Sequence, residues 1–345
     1  MTRLTPKKVL FHSFLLSLLL LLVLFLSILL GSTRINPLHA IRILLDSLAG
    51  IKNGTPGAEA DQTILLTLRV PRVFLAGLVG AGLSISGTVF QALLRNPLAD
   101  PYILGVSSGA AVGAIIALLA GLTAFSFSIP VTSSLGALLT ILTVFYFGRQ
   151  DGKIHPNTLL LAGVITSSFL SAVIMFFISV SQREELRTII FWLMGDFSMA
   201  RAESLWMTFP YLLIGFTFLY LQARNLNLLL LGEDHALQLG VQVERLKWIS
   251  YFLASLMTAA SVSVCGLIGF VGLIIPHSAR LLFGSDHRLL LPASALLGAS
   301  FLIASDTVAR TLLAPVELPV GVITAAFGGP FFIYLLRTRK GIRTL

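Results

Sequence analysis

The stretch Arg69 to Gly109, RVPRVFLAGLVGAGLSISGTVFQALLRNPLADPYILGVSSG, decides the fold. It opens with two arginines bracketing Pro71, then runs through apolar residues until Asn96-Pro97. Small residues recur four apart: Ala76 and Gly80, Gly77 and Ala81, Gly80 and Ser84. In lipid, where apolar surface gives helices no reason to associate, such spacing lets backbones approach closely. The stretch therefore reads as a membrane helix at the centre of a bundle, with Pro71 in its first turn, where a missing N–H costs nothing. Arg69 and Arg72 then sit at the positive end of the helix dipole, which disfavours cations by a few tenths to about 1 kcal/mol. Two readings stand: the arginines snorkel to the interface, or they are held there by something other than local helix stability.

Composition agrees with a polytopic membrane protein. Of 345 residues, 56% are hydrophobic and 11% charged, with mean hydropathy +0.93, far too little charge for a soluble core of this size. A crossing helix needs about 20 apolar residues, and the apolar runs lay out ten crossings in a single integral domain, 1–345. The first is Val9 to Leu30, preceded by Arg3, Lys7 and Lys8; it is too long for a secretory signal and lacks a cleavage site. The others are Arg69 to about Arg95, Ile103 to Leu122, Ile129 to Phe147, Asn157 to Val180, Ser204 to Leu221, two within Trp248 to Phe283 joined by a tight turn at Gly266, Gly269 and Gly272, Leu289 to Ala304, and Leu318 to Leu336. Short amphipathic helices are expected after Asn36-Pro37 and within Ser181 to Glu203. Asp306 to Glu317, including Arg310, reads as a loop.

The net charge of +9 invites a nucleic-acid partner, but the basic residues lie in short loops and at both ends. With both termini cytoplasmic, 15 Lys and Arg fall inside and 9 outside, the positive-inside pattern. Arg69, Arg72, Arg183, Arg187, Arg201 and Arg310 are the outside exceptions. Cys265 is alone, which excludes an intrachain disulfide and a cysteine zinc site.

The chain lacks a phosphate-binding loop. Gly148 to Lys153 has three residues between its glycines where four are needed, and Ile154 stands where Ser or Thr must hold magnesium. ATP, if it drives transport, is bound by another subunit, and no cofactor is called for. An ion-coupled secondary carrier is the alternative of another class, weakened because the middles of the third, fifth, sixth and tenth spans carry no ionisable relay. No His cluster, Ser/His pair or Asp pair supports an enzyme; His155, His235 and His287 read as solvated loop residues. In the fifth span, Gly163, Ser167 and Ser171 fall four apart with Thr166 and Ser168 beside them. That stripe fits either a polar path through the membrane or hydrogen bonding between helices.

Several separated motifs resemble the FecCD-type permeases, the BtuC-like membrane subunits of ABC importers for iron siderophores, haem and cobalamin. They are Arg69-Val-Pro-Arg72, Ser86-Gly87, Gln91, Asn96-Pro-Leu-Ala-Asp-Pro101, Leu104-Gly-Val-Ser-Ser-Gly109, Gly232-Glu233 with Ala236 and Leu239-Gly240, Gly266-Leu-Ile-Gly-Phe-Val-Gly-Leu273, Pro276-His277, Arg280, Glu317-Leu-Pro-Val-Gly321 and Gly328, in order over about 62–336. The resemblance implies an all-α, type II ABC importer permease fold in the cell's inner (plasma) membrane. It also implies a homodimer with the pore at its interface, two cytoplasmic ABC ATPase subunits, and a bilobed substrate-binding protein docking outside. It assigns Arg69, Arg72 and Arg310 to docking, Gly232, Glu233, Ala236, Leu239 and Gly240 within 224–247 to ATPase coupling, and the fifth span's Gly163, Thr166, Ser167, Ser168 and Ser171 to the pore. A weak echo between Gly77-Leu-Val-Gly80 and Gly266-Leu-Ile-Gly269 points to spans 2–5 and 7–10 as repeats of opposite orientation.

Overall fold

A computed structural model describes residues 5–33, 35–49, 58–122, 127–150 and 153–337. The expected charges at Arg3, Arg34, Lys52, Arg339, Lys340 and Arg343, and much of the uncharged loop after the third span, lie outside the described residues. In chain order the helices are α1 (Pro6–Leu29), α2 (Pro37–Leu48), α3 (Ala58–Gln62), α4 (Val70–Leu93), α5 (Val106–Leu119), α6 (Ser128–Gly148), α7 (Pro156–Val180), α8 (Arg183–Leu193), α9 (Ala202–Leu221), α10 (Ala223–Leu230), α11 (Glu233–Gln238), α12 (Val243–Cys265), α13 (Val271–Phe283), α14 (His287–Thr311) and α15 (Val320–Arg337). Strands β1 (Arg149–Gln150) and β2 (Lys153–Ile154) form a small antiparallel hairpin between α6 and α7. Among the described residues, seven helical runs are long and apolar enough to cross a membrane, and α5, α13 and α15 are shorter apolar helices. Together they supply the ten expected crossings. The two amphipathic helices are α2, capped by Asn36 Oδ1 accepting from Leu38 N–H (3.0 Å), and α8.

Helix α4 is the buried axis. Where it crosses α14, Gly80 and Gly298 abut so closely that a methyl on Gly80 would run into the Gly298 carbonyl. Further along, a methyl on Gly87 would run into the Gly272 carbonyl of α13. The small-residue spacing thus does what the sequence implies: it lets α4 be covered on several faces by backbone.

Three boundaries depart from expectation. The helix carrying Arg69 does not start there. It runs unbroken from Ala58, and Thr63–Arg69 forms a π-helical turn before α4. Wider hydrogen bonding just before Pro71 accommodates a ring that would clash with a regular preceding turn. Helix α14 continues to Thr311, so Asp306 and Arg310 belong to a buried helix end and not to a loop. Finally, α5 and α13, at 14 and 13 residues, are too short to cross about 30 Å of hydrocarbon. Each is completed by non-helical backbone.

That backbone is buried in protein, the condition under which irregular structure survives at membrane depth. Asp100 Oδ1 caps a 3-10 turn, Pro101–Leu104, by accepting from Tyr102 N–H (2.8 Å). Pro101 meets Gly272 beside the carbonyl of Leu83, halfway along α4. The Gly266–Phe270 turn is pinned there by Ile268 N–H donating to Tyr102 Oη.

The quartets α4–α7 and α12–α15 share a pattern in which a long first helix is followed by a half-length second and a long third: 24, 14 and 21 residues, then 23, 13 and 25, with fourth helices of 25 and 18. The first turns of α12 lie beside Glu233, as does Arg95 after the end of α4. The leading helices therefore run in opposite senses, as an inverted repeat requires.

Candidate functional site: two ends of one buried helix

At one end of α4 lies a buried charge cluster. Arg72 Nε and Nη2 donate to the Asp306 carboxylate (2.9–3.1 Å), and Arg72 Nη1 donates to Glu317 Oε2 (2.7 Å). Arg310 lies 3.5 Å from the same Asp306 through Nε, and its Nη2 donates to Ser27 Oγ (2.8 Å) and the Ser27 carbonyl of α1. Arg69 donates to the Ile28 and Leu29 carbonyls (both 3.3 Å) and to Thr33 Oγ1 (2.9 Å). The last turn of α1 is the negative end of a helix dipole. This removes the puzzle posed by the sequence, because both Arg69 and Arg310 complete the C-terminus of α1.

Arg69 is 5% exposed and Arg310 3%, and Arg72 is committed to two carboxylates. None of the three guanidinium groups projects as a free cation; they brace the rim by tying α1, α4, α14 and Glu317 together.

The opposite end of α4 carries α11. Gly232 and Gly240 flank it with φ of 115° and 83°, conformations that glycine adopts without strain. Ala236 is fully buried, while Leu237 (57%) and Leu239 (61%) stand exposed beside Leu231. A methyl on Gly240 would meet open space, so its backbone is accessible. Glu233 anchors the helix, pairing with Lys247 (2.6 Å) and Arg95 (3.4 Å). Next to it, Asn227 of α10 donates to Asp286 (2.8 Å), and its Oδ1 lies 2.7 Å from His287 Nδ1 and accepts from His287 N–H. His287 is therefore fully buried, contrary to the solvated reading, because the helix it starts is covered by α10. His155 and His235 are exposed as expected.

The fifth-span stripe divides between two faces. Gly163 packs on Ile103 and Leu104, and Ser167 faces Gly105, so these two serve helix-to-helix contact inside the chain. Ser168 lies on the open face with Val164, Ile165 and Phe169, its hydroxyl donating to the Val164 carbonyl (2.9 Å). Thr166 and Ser171 are half-buried between the two faces.

A family model described as the FecCD transport family matches residues 19–338. The chain belongs to that family. The cobalamin import system permease protein BtuC of Halobacterium salinarum is 46% identical over 85% of this chain and 78% of its own length. The hemin transport system permease protein HmuU of Yersinia pestis is 40% identical, over 83% and 86%. A solved structure described as an inward-facing conformation of an ABC transporter superposes with a TM-score of 0.81 at 35% identity, covering 96% of this chain and 99% of the other. The protein is thus a multi-pass permease subunit of the ABC importer class, with the type II importer fold.

Reasoning from sequence located α11 and the arginines but missed their partners. Ser27 and Lys247 carry no signal in the sequence, and Asp306 reads there only as the edge of a loop. The pair Asp306 and Arg310, four apart on one helix, was the available signal.

Proposed function

We propose that this chain is one half of the translocation pore of an ATP-driven importer of a metal chelate, an iron siderophore or haem. Cobalamin is the runner-up cargo, and relatives named for cobalamin and for hemin, at 46% and 40% identity, keep both within reach. Two copies enclose the pore along the open face of α7. Two separate ABC ATPase subunits grip α11 from the cytoplasm, which places both termini on that side of the cell's inner (plasma) membrane. A bilobed binding protein delivers cargo to the opposite rim, where Arg69, Arg72 and Arg310 hold the docking surface in register.

The observation that carries this reading is the knob made by α11. Leu237 and Leu239 are exposed at the end of a helix whose own packing is secured by Ala236 and Glu233. Exposed leucines beside an open glycine backbone suit a groove on another protein, and closure of that protein would move α11 as a rigid lever. The test is co-purification with the cognate ATPase. Leu239→Glu should abolish association while the permease remains monodisperse; full retention of the ATPase by Leu237→Glu/Leu239→Glu would overturn the reading.

A further inference from the structure

The end of the molecule that carries α11 also contains a lysine whose position is unusual. Lys247, in the second turn of α12, is 3% exposed, yet its ammonium donates to three oxygens on three elements. They are Glu233 Oε2 on α11 (2.6 Å), Glu244 Oε1 on α12 (3.1 Å) and the Ile154 carbonyl on β2 (2.9 Å). Three donors meet three acceptors, which matches the whole capacity of the group. Glu244 closes the arrangement from the other side, its Oε2 accepting from Ile154 N–H (2.8 Å).

Ile154 is therefore clamped at both its N–H and its carbonyl, and it stands two residues before Pro156, the first residue of α7. Nothing in local helix propensity asks for a buried cation here. Removing one partner of a buried pair is costly because the other charge is left uncompensated. The three-way connection gives α11 a direct polar link to the start of α7.

We propose that Lys247 is a positioning residue for transport: it makes α11, the first turns of α12 and the N-terminus of α7 move as one body, so that displacement of α11 is delivered to α7. The inference rests on the reading of α11 as the ATPase contact. It adds a specific route, from the coupling helix to the helix with the open face.

The test uses the assembled complex of permease, ATPase and binding protein in proteoliposomes. Lys247→Met keeps the aliphatic stem and removes the charge. The complex should still assemble and hydrolyse ATP, while cargo taken up per ATP falls roughly 2- to 30-fold, the range over which coupling networks respond to mutation. Lys247→Arg, which can still reach several acceptors, should restore much of the ratio. Spin labels at Asp234 and Lys153, on a Cys265→Ser background, supply a readout that mere stability would not move. Their separation should stay narrow and unchanged by ATP in the parent, and broaden or shift with ATP in Lys247→Met. Normal uptake per ATP in Lys247→Met, or an unchanged label distance, would overturn the proposal. So would loss of assembly in both Lys247→Met and Lys247→Arg, which would make the residue structural. Failure of the α11 reading shows separately, as full retention of the ATPase by the Leu237→Glu/Leu239→Glu chain.

Discussion

Arg72 and Asp306, 234 positions apart in sequence, form a buried pair in which both Nε and Nη2 of the guanidinium reach the carboxylate. The pair fastens the start of α4 to the end of α14 at the rim. Removing Asp306 alone should be worse than removing both, because the single change leaves Arg72 with Glu317 only and Arg310 without its carboxylate, whereas the double change leaves one buried guanidinium fewer to compensate. Asp306→Ala is expected to cost about 3–5 kcal/mol, and Arg72→Met with Asp306→Leu considerably less. Thermal unfolding of the detergent-solubilised variants reads the difference; equal losses would show that the pair is not coupled.

The α4–α14 crossing makes a steric prediction. Gly298→Leu would drive a side chain into Gly80 and Ser84, separating two helices whose association depends on backbone proximity. We expect little monodisperse protein by size-exclusion chromatography, whereas Gly329→Ala, where a methyl meets nothing, should behave as the parent.

At the opposite end, Asp286 caps α14. Burial alone would push its carboxyl up, but hydrogen bonds from the Arg288 side chain and N–H and from Asn227 outweigh it and hold the group at about 2. A carboxyl depressed in the folded state stabilises above its unfolded pKa of about 4 and loses that contribution as pH falls toward 2. The melting temperature of the parent should therefore drop more steeply than that of Asp286→Asn between about pH 4 and pH 2. Parallel curves would mean that the cap contributes nothing.

Docking gives a fourth expectation. Since Arg69 and Arg310 brace α1 and do not project as free cations, replacing either by Met should weaken stimulation of ATP hydrolysis by the binding protein while basal hydrolysis persists. Direct ion pairing across the interface would instead make the effect strongly salt-dependent. A titration of stimulation against ionic strength distinguishes the two.

Much of this architecture is legible in sequence because lipid imposes a length and a composition on each crossing. The ten spans, α2, α8 and the small-residue faces of α4 follow from local pattern, and the α11 segment from the family resemblance. What local pattern could not show is who meets whom. Arg69 lies against the end of α1, and Lys247 meets Ile154, 93 positions away; such pairs are fixed by packing. For the same reason the Ser and Gly stripe of α7 could be placed on a helix but not divided between its faces. The half-length α5 and α13 are not legible because their non-helical approaches are as apolar as helices.

The most direct test of the central claim is uptake of ferric siderophore and haem by proteoliposomes holding this chain, its cognate ATPase and its binding protein. Accumulation that requires ATP hydrolysis, persists when ion gradients are collapsed, and is lost with Leu239→Glu is the predicted result. Uptake that continues without ATP and stops when the ion gradient is dissipated would contradict it.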